Sequence, residues 1–328
     1  MQLYPLTFKP IFKEKIWGGE KISRLLGKDT GAMAQCGESW ELSAVGADIS
    51  VVASGPLAGK SLTELIAADP EAMLGKAVAT KYQNTFPLLV KFLDANADLS
   101  VQVHPADAMA REQHGCFGKA EMWYIMQADA GSSLINGFSQ SIDKEIFEAA
   151  LAQGKLSQYL HRDEVNKGEV YYIPPGRIHT IGKGILLAEI QQSSDVTYRV
   201  YDYDRTDAQG NKRELHLGQA MEALDYNAVG ETKVAQVPED QLRTELVANR
   251  HFITNQLNIK GTETLACDDR QSFVVLTCVG GNATLSHGEY QCDMAAGTVL
   301  LIPAVLREVE IDSAEGITLL ETYIPTKD

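Results

Sequence analysis

A mainly β fold with small helical insertions is what this sequence predicts, and three observations carry the prediction. Strand-length runs bounded by Asn, Asp, Pro and Gly recur from Pro87 onward, first at residues 88–93 and 99–104. In the second of these, Leu99, Val101 and Val103 alternate with Ser100, Gln102 and His104, so one strand face is apolar and the other chemically equipped. Residues 251–328 alternate short strands with Gly and Asn turns and read as all-β.

The elements follow in order. The first hundred residues mix short strand-like runs with one helical stretch, in which Ser61 caps a helix through Leu62, Leu65 and Ile66. Pro70 interrupts that helix, and residues 72–79 resume it. A helix is expected over 141–160, with Ile142, Ile146, Ala149, Ala150 and Leu151 on one stripe. Strands are expected at 169–173 and 184–191, and a helix at 216–224 with Leu217, Ala220, Met221 and Leu224 on one side. The polar stretch 231–250, which includes Pro238, reads as a linker, so the chain divides into residues 1–235 and 236–328.

Composition excludes several function classes. The 328 residues suffice for one large or two medium domains, and 45% hydrophobic with 22% charged residues is ordinary globular composition. A net charge of −15 disfavours nucleic acid and anionic membranes as partners. It also means that an anionic substrate must be caught by local cations. No apolar run approaches the ~18 residues of a membrane span, and the first residues lack a signal-peptide pattern. Cys36, Cys116, Cys267, Cys278 and Cys292 are scattered and lack metal-ligand spacing, which suits reduced thiols in the cytoplasm.

One internal echo stands out. Gly168, Val170, Ile173 and Pro174 align with Gly297, Val299, Ile302 and Pro303, as if a strand–turn–strand unit were duplicated. The second copy has Val305 in place of Gly176 and Glu308 in place of His179, so the chemistry is kept once.

Three stretches bring potential metal ligands. Gln102 and His104, two apart on a strand, face the same way. Glu121 precedes the apolar run 122–126 and can point inward from a neighbouring strand, and His179 follows a Pro-Gly turn that reverses the backbone. Two imidazoles and a carboxylate suit Zn²⁺, Fe²⁺, Mn²⁺, Co²⁺ or Ni²⁺. His114, His161, His216, His251 and His287 lack such surroundings and read as structural.

The spacing Gly168-x5-Pro174-x-Gly176-x2-His179 resembles the second cupin motif, a strand–turn–strand of a small β-barrel with a metal in its mouth. Gln102-Val103-His104-Pro105, Lys119-x-Glu121, the Lys91 strand and the stretch from Glu189 to Asp202 resemble type I mannose-6-phosphate isomerases. Trp17-Gly18-Gly19 and Glu38-Ser39-Trp40-Glu41-Leu42-Ser43 extend the likeness over most of the chain, whose length looks like the short, bacterial branch.

The resemblance implies a double cupin (RmlC-like) fold, its first barrel binding one Zn²⁺ or another divalent metal and its second degenerate. His104, Glu121 and His179 match the family's zinc ligands, with Gln102 the fourth in some members. Arg199 matches an arginine with a catalytic role, and Lys119 and Lys91 match lysines near the active site. The implied activity is interconversion of mannose 6-phosphate and fructose 6-phosphate through an enediolate, in a cytoplasmic monomer or homodimer. The proton-transferring base stays open among Glu189, Glu41 and a metal-bound water, and both carboxylates are expected with Lys91 around the substrate. Arg199, Lys119, Lys91 and Arg177 are expected to converge on one pocket. The alternatives are a metal-dependent cupin oxygenase and a non-catalytic sugar-binding protein.

Overall fold

The computed structural model describes residues 2–206, 209–234, 240–267 and 270–326. In chain order the first strands are β1 (Leu6–Thr7), β2 (Ile11–Gly19), β3 (Cys36–Leu42), β4 (Ala44–Val45), β5 (Asp48–Ile49), β6 (Leu88–Ala95), β7 (Val101–Val103), β8 (Glu121–Ala128), β9 (Ser133–Phe138) and β10 (Leu160–Glu164). They continue as β11 (Val170–Ile173), β12 (His179–Ile181), β13 (Ile185–Gln192), β14 (Tyr198–Tyr201), β15 (Arg243–Ala248), β16 (Ile253–Ala266), β17 (Val274–His287), β18 (Tyr290–Ala295), β19 (Val299–Ile302) and β20 (Glu308–Tyr323). The helices α1 (Lys21–Leu26), α2 (Leu62–Ala68), α3 (Pro70–Leu74), α4 (Lys76–Lys81), α5 (Asp107–His114), α6 (Lys144–Ala152) and α7 (Leu217–Ala223) lie in the connections. None among the described residues is long and apolar enough to cross a membrane.

Two antiparallel sheets enclose the site. One runs β11-β8-β13-β6-β3-β2 and the other β10-β9-β12-β7-β14. Directly opposed residues in antiparallel strands share a face, so register alone aligns Trp40, Lys91, Glu189 and Trp123 in one row across β3, β6, β13 and β8. Glu121 is two residues before Trp123 and shares its face. On the other sheet Arg199, Gln102, His179 and Asn136 form a second row. The rows meet: the Trp123 and His179 rings lie edge to face with centroids 5.5 Å apart.

A third sheet, β1-β19-β17-β20-β16-β15 with β18 on β17, makes a second β unit. Its edge strand β1 comes from the opposite end of the chain and pairs with β19. An apolar cluster joins the two units, with Met73, Phe86 and Phe92 of the first packed in one core with Phe252, Phe273 and Leu301 of the second.

The helical stretch after Ser61 is three short helices. Ser61 and Glu64 form a reciprocal capping box on α2, Asp69 caps α3 with Pro70 in its first turn, and Gly75 at φ +85° separates α3 from α4. The helix expected over 141–160 stops at Ala152, because Gly154 turns left-handed at φ +66° and the chain enters β10 at Leu160. The stretch 231–250 is not all linker. Lys233 bridges to Tyr171, and β15 adds an edge strand to β16. Residues 235–239, with Pro238 and the division at 235/236, lie outside the described residues.

The echoed unit appears twice as strand–turn–strand, β11 to β12 and β19 to β20. Gly168 and Gly297 share a positive φ, +87° and +96°. The copies part at the turn: Gly176 has φ +84°, and its N–H donates to the His104 carbonyl at 2.9 Å. His179 is buried, whereas Glu308 is exposed. A Cβ on Gly176 would lie 2.9 Å from the Ala223 carbonyl oxygen. Gly176→Ala is therefore expected to destabilise the protein by about 1–3 kcal/mol, read as a lower thermal midpoint; an unchanged midpoint would contradict the strain.

Candidate metal centre and its charged cavity

His104, Glu121 and His179 come from three separate strands or strand ends and are each about 1% exposed. One potential ligand atom from each lies within 4.8 Å of the others. His104 Nδ1 is 2.9 Å from the Val196 carbonyl and His179 Nδ1 is 2.8 Å from the Arg177 carbonyl. A carbonyl only accepts, so both Nδ1 atoms carry the proton and both Nε2 atoms present lone pairs. Those lone pairs face Glu121: each Nε2 sits 3.4 Å from a Glu121 oxygen. His104 Nε2 and Glu121 Oε2 have no hydrogen-bond partner. Buried acceptors opposed without a donor are unfavourable unless a cation joins them. The residues present therefore fit a divalent metal, and the backbone carbonyls behind the imidazoles are the orienting partners such ligands have.

Burial, reinforced by the neighbouring Lys119 ammonium, pushes the His104 imidazole well below its ordinary range. Burial likewise takes His179 down to about 4. Both rings are thus neutral, the form that binds metal. Gln102 approaches from β7: its Nε2 is 3.3 Å from His179 Nε2, and its Oε1 accepts from Ser100 Oγ. A half-turn of the amide exchanges the two atoms, so Gln102 can add an oxygen ligand.

Beside these residues opens a cavity of about 240 Å³. Its wall carries five basic groups, Lys15, Lys91, Lys119, Arg199 and Arg213, and four acidic ones, Glu38, Glu121, Glu189 and Asp195. Lys91 Nζ lies 3.1 Å from Glu189 Oε1 and 3.9 Å from Glu38 Oε2, over the Trp40 ring. Burial opposes its charge, but Glu189 and Glu38 outweigh burial and hold it above the usual lysine range. Glu38 is buried too, yet Lys91, Lys15 and the Trp40 indole N–H bring it down to about 2. Burial, with the Glu121 charge nearby, moves Glu189 upward. Lys119 Nζ stands 3.5 Å from Glu121 Oε2.

The structure brings together Gln102, His104, Glu121, His179, Lys91, Lys119, Glu189 and Arg199. It does not bring Glu41 to them. Strand alternation turns Glu41 to the face opposite Glu38 and Trp40, where it contacts Ser39 and the Lys28 ammonium. Arg177 does not join the cations either: its guanidinium donates to Asn136 Oδ1, and only its carbonyl serves the site. Arg199 is not ion-paired with Asp202, whose oxygens hold Arg205 and Arg213. Glu38, Lys15 and Arg213 line the cavity without having been anticipated. The five remaining histidines have structural partners, such as Tyr198 for His114 and the Arg199 N–H for His216.

Neutral imidazoles and a carboxylate gathered between two sheets, with a second unit that carries Glu308 in place of the histidine, define a double cupin with one candidate metal centre among the described residues. Residues 6–124 match the family described as phosphomannose isomerase type I, catalytic domain, and residues 243–320 match the mannose-6-phosphate isomerase cupin domain. The chain is 36% identical to the mannose-6-phosphate isomerase ManA of Bacillus subtilis, over 95% of this chain and 97% of that one. It is 35% identical to the mannose-6-phosphate isomerase of Streptococcus mutans, over 94% and 95%. The crystal structure of the Bacillus subtilis mannose 6-phosphate isomerase superposes with a TM-score of 0.86 at 33% identity, covering 98% of this chain and 99% of that one. This chain belongs to the type I phosphomannose isomerase family.

The Glu38 carboxylate gives a pH test. Its folded pKa of about 2 lies below its ordinary 4.5, so its contribution is fully present above pH 4.5 and is lost as pH falls toward 2. Glu38→Gln should lower stability at neutral pH by on the order of 3 kcal/mol, with the difference closing in acid. Parallel stability–pH curves in urea would contradict this.

Proposed function

We propose that the chain interconverts mannose 6-phosphate and fructose 6-phosphate through an enediolate, with a divalent metal, zinc first among them, held by His104, Glu121 and His179 and joined by Gln102. The observation that carries this reading is the facing of the His104 and His179 Nε2 lone pairs on the Glu121 carboxylate, beside a cavity lined by Lys91, Lys119 and Arg199. Bound there, the metal supplies Lewis-acid stabilisation of the negative charge that develops on the sugar oxygens.

The rest of the chemistry falls to the chain. Moving a hydrogen between C2 and C1 needs a base that takes a proton from one carbon and returns it to the other. Of the two candidate carboxylates only Glu189 faces the cavity, and its raised pKa brings it closer to the working range of a proton carrier. We assign that role to Glu189. Lys91, 3.1 Å from Glu189 Oε1, keeps the carboxylate oriented. Arg199 and Lys119 place fixed positive charge beside the reacting oxygens, where preorganised charge is most effective. The free thiols of Cys36, Cys116, Cys278 and Cys292 suit a reducing cytoplasm, where we place the protein as a monomer or homodimer.

The deciding experiment is elemental analysis of the purified protein, followed by an anaerobic assay with mannose 6-phosphate before and after chelation. The reading requires one divalent ion per chain and turnover without oxygen that chelation abolishes and metal restores. Oxygen-dependent turnover or none would overturn it. Glu121→Ala should emerge without bound metal. Glu189→Gln should keep its metal while kcat falls by about 10²–10⁴-fold; a kcat within a few-fold of the parent would remove Glu189 from the proton path.

A further inference from the structure

A second guanidinium stands at the cavity wall beside Arg199. Arg213 lines the same cavity and is held from behind by one carboxylate: its Nε donates to Asp202 Oδ2 at 2.8 Å and its Nη2 to Asp202 Oδ1. Asp202 is itself only 5% exposed and also fixes Arg205, whose Nη1 reaches the Asp98 carbonyl. Arg205 is consumed by this scaffold. Arg213 is not: among the described residues its Nη1 makes no hydrogen bond. Arg199 has a buried Nε without a partner, while its Nη1 is anchored on the Glu214 carbonyl. A single carboxylate thus serves two arginines with a third alongside, and the like charges of Arg213 and Arg205 act with burial to lower the Arg199 pKa. Such a surplus of preoriented, partly unspent donors matches an oxyanion with several acceptor oxygens.

The order along the wall sets the polarity of the substrate. Gln102 touches His179 at the candidate metal centre and Arg199 is its cross-strand partner; past Arg199, β14 runs antiparallel to β7 and away from His104, leading to Asp202, which holds Arg213. An extended sugar phosphate with its C1–C2 end at the metal therefore carries its other end toward Arg213. We propose that Arg213, clamped by Asp202, binds the phosphate group of the substrate, with Arg199 between the phosphate and the reacting carbons. Arg213 is a substrate-binding residue that takes no part in the proton transfer. The assignment rests on the isomerase reading for the sugar, but not for the anion.

Arg213→Met and Arg213→Lys test it through the KM for mannose 6-phosphate and through inorganic phosphate, used as competitive inhibitor and in calorimetric titration. Arg213→Met should raise KM and the phosphate inhibition constant together by roughly 10- to 100-fold, with metal content kept and kcat within a few-fold. Arg213→Lys, which keeps the charge without the planar fork, should fall between and serves where the methionine variant is unstable. Values within twofold of the parent for either variant, or parent protein that does not bind phosphate, would overturn the proposal. A parent that binds phosphate through Arg213 yet does not turn over the sugar would defeat the isomerase reading and leave this one standing.

Discussion

The site depends on two rows of side chains that antiparallel register holds opposite one another. Trp40, Lys91, Glu189 and Trp123 belong to one sheet, and Arg199, Gln102 and His179 to the other. Because side chains alternate with period two, a slip of one residue in β6 would drive Lys91 into the apolar layer occupied by Val90 and Phe92. The chemistry is therefore specified by the same hydrogen bonds that build the sheets. The apolar residues on the far side of β6, β8 and β13 supply the energy that keeps the register from moving.

Burial of this many charges is tolerable because they are paired within the site. Lys91 lies between Glu38 and Glu189, and Lys119 lies beside Glu121. A protein of net charge −15 thereby keeps a cavity whose basic groups outnumber its acidic ones. The overall field repels a sugar phosphate, and the local one attracts it at short range, where water and salt screen least. Neutral imidazoles complete the balance, since a protonated His104 or His179 would compete with any cation between them.

How far the sequence spoke for the fold and the site varied from element to element, for identifiable reasons. The strand-rich architecture and the duplicated turn were legible because Gly, Pro and period-two patterns are local. His104 and His179 were legible through the turns beside them. Glu38 was not distinguished from Glu41, because every residue of β3 is buried and a strand covered on both sides has no polar face to choose by. Arg213 was hidden because it is brought to the cavity by a loop clamped on Asp202, a contact that no periodicity encodes. Arg177 misled for a related reason: a turn residue shows where the backbone reverses, not where its side chain ends.

The edge strand that residues Leu6–Thr7 contribute to the far sheet ties the beginning of the chain to its last unit. A fragment made of the second unit alone would bare the flank of β19, a row of amide and carbonyl groups ready to recruit any passing strand. The two halves are thus not modules to be shuffled freely. During synthesis, Leu6 and Thr7 precede β19 by almost three hundred residues and wait for it, so the sheet cannot reach its final width until β19 has left the ribosome.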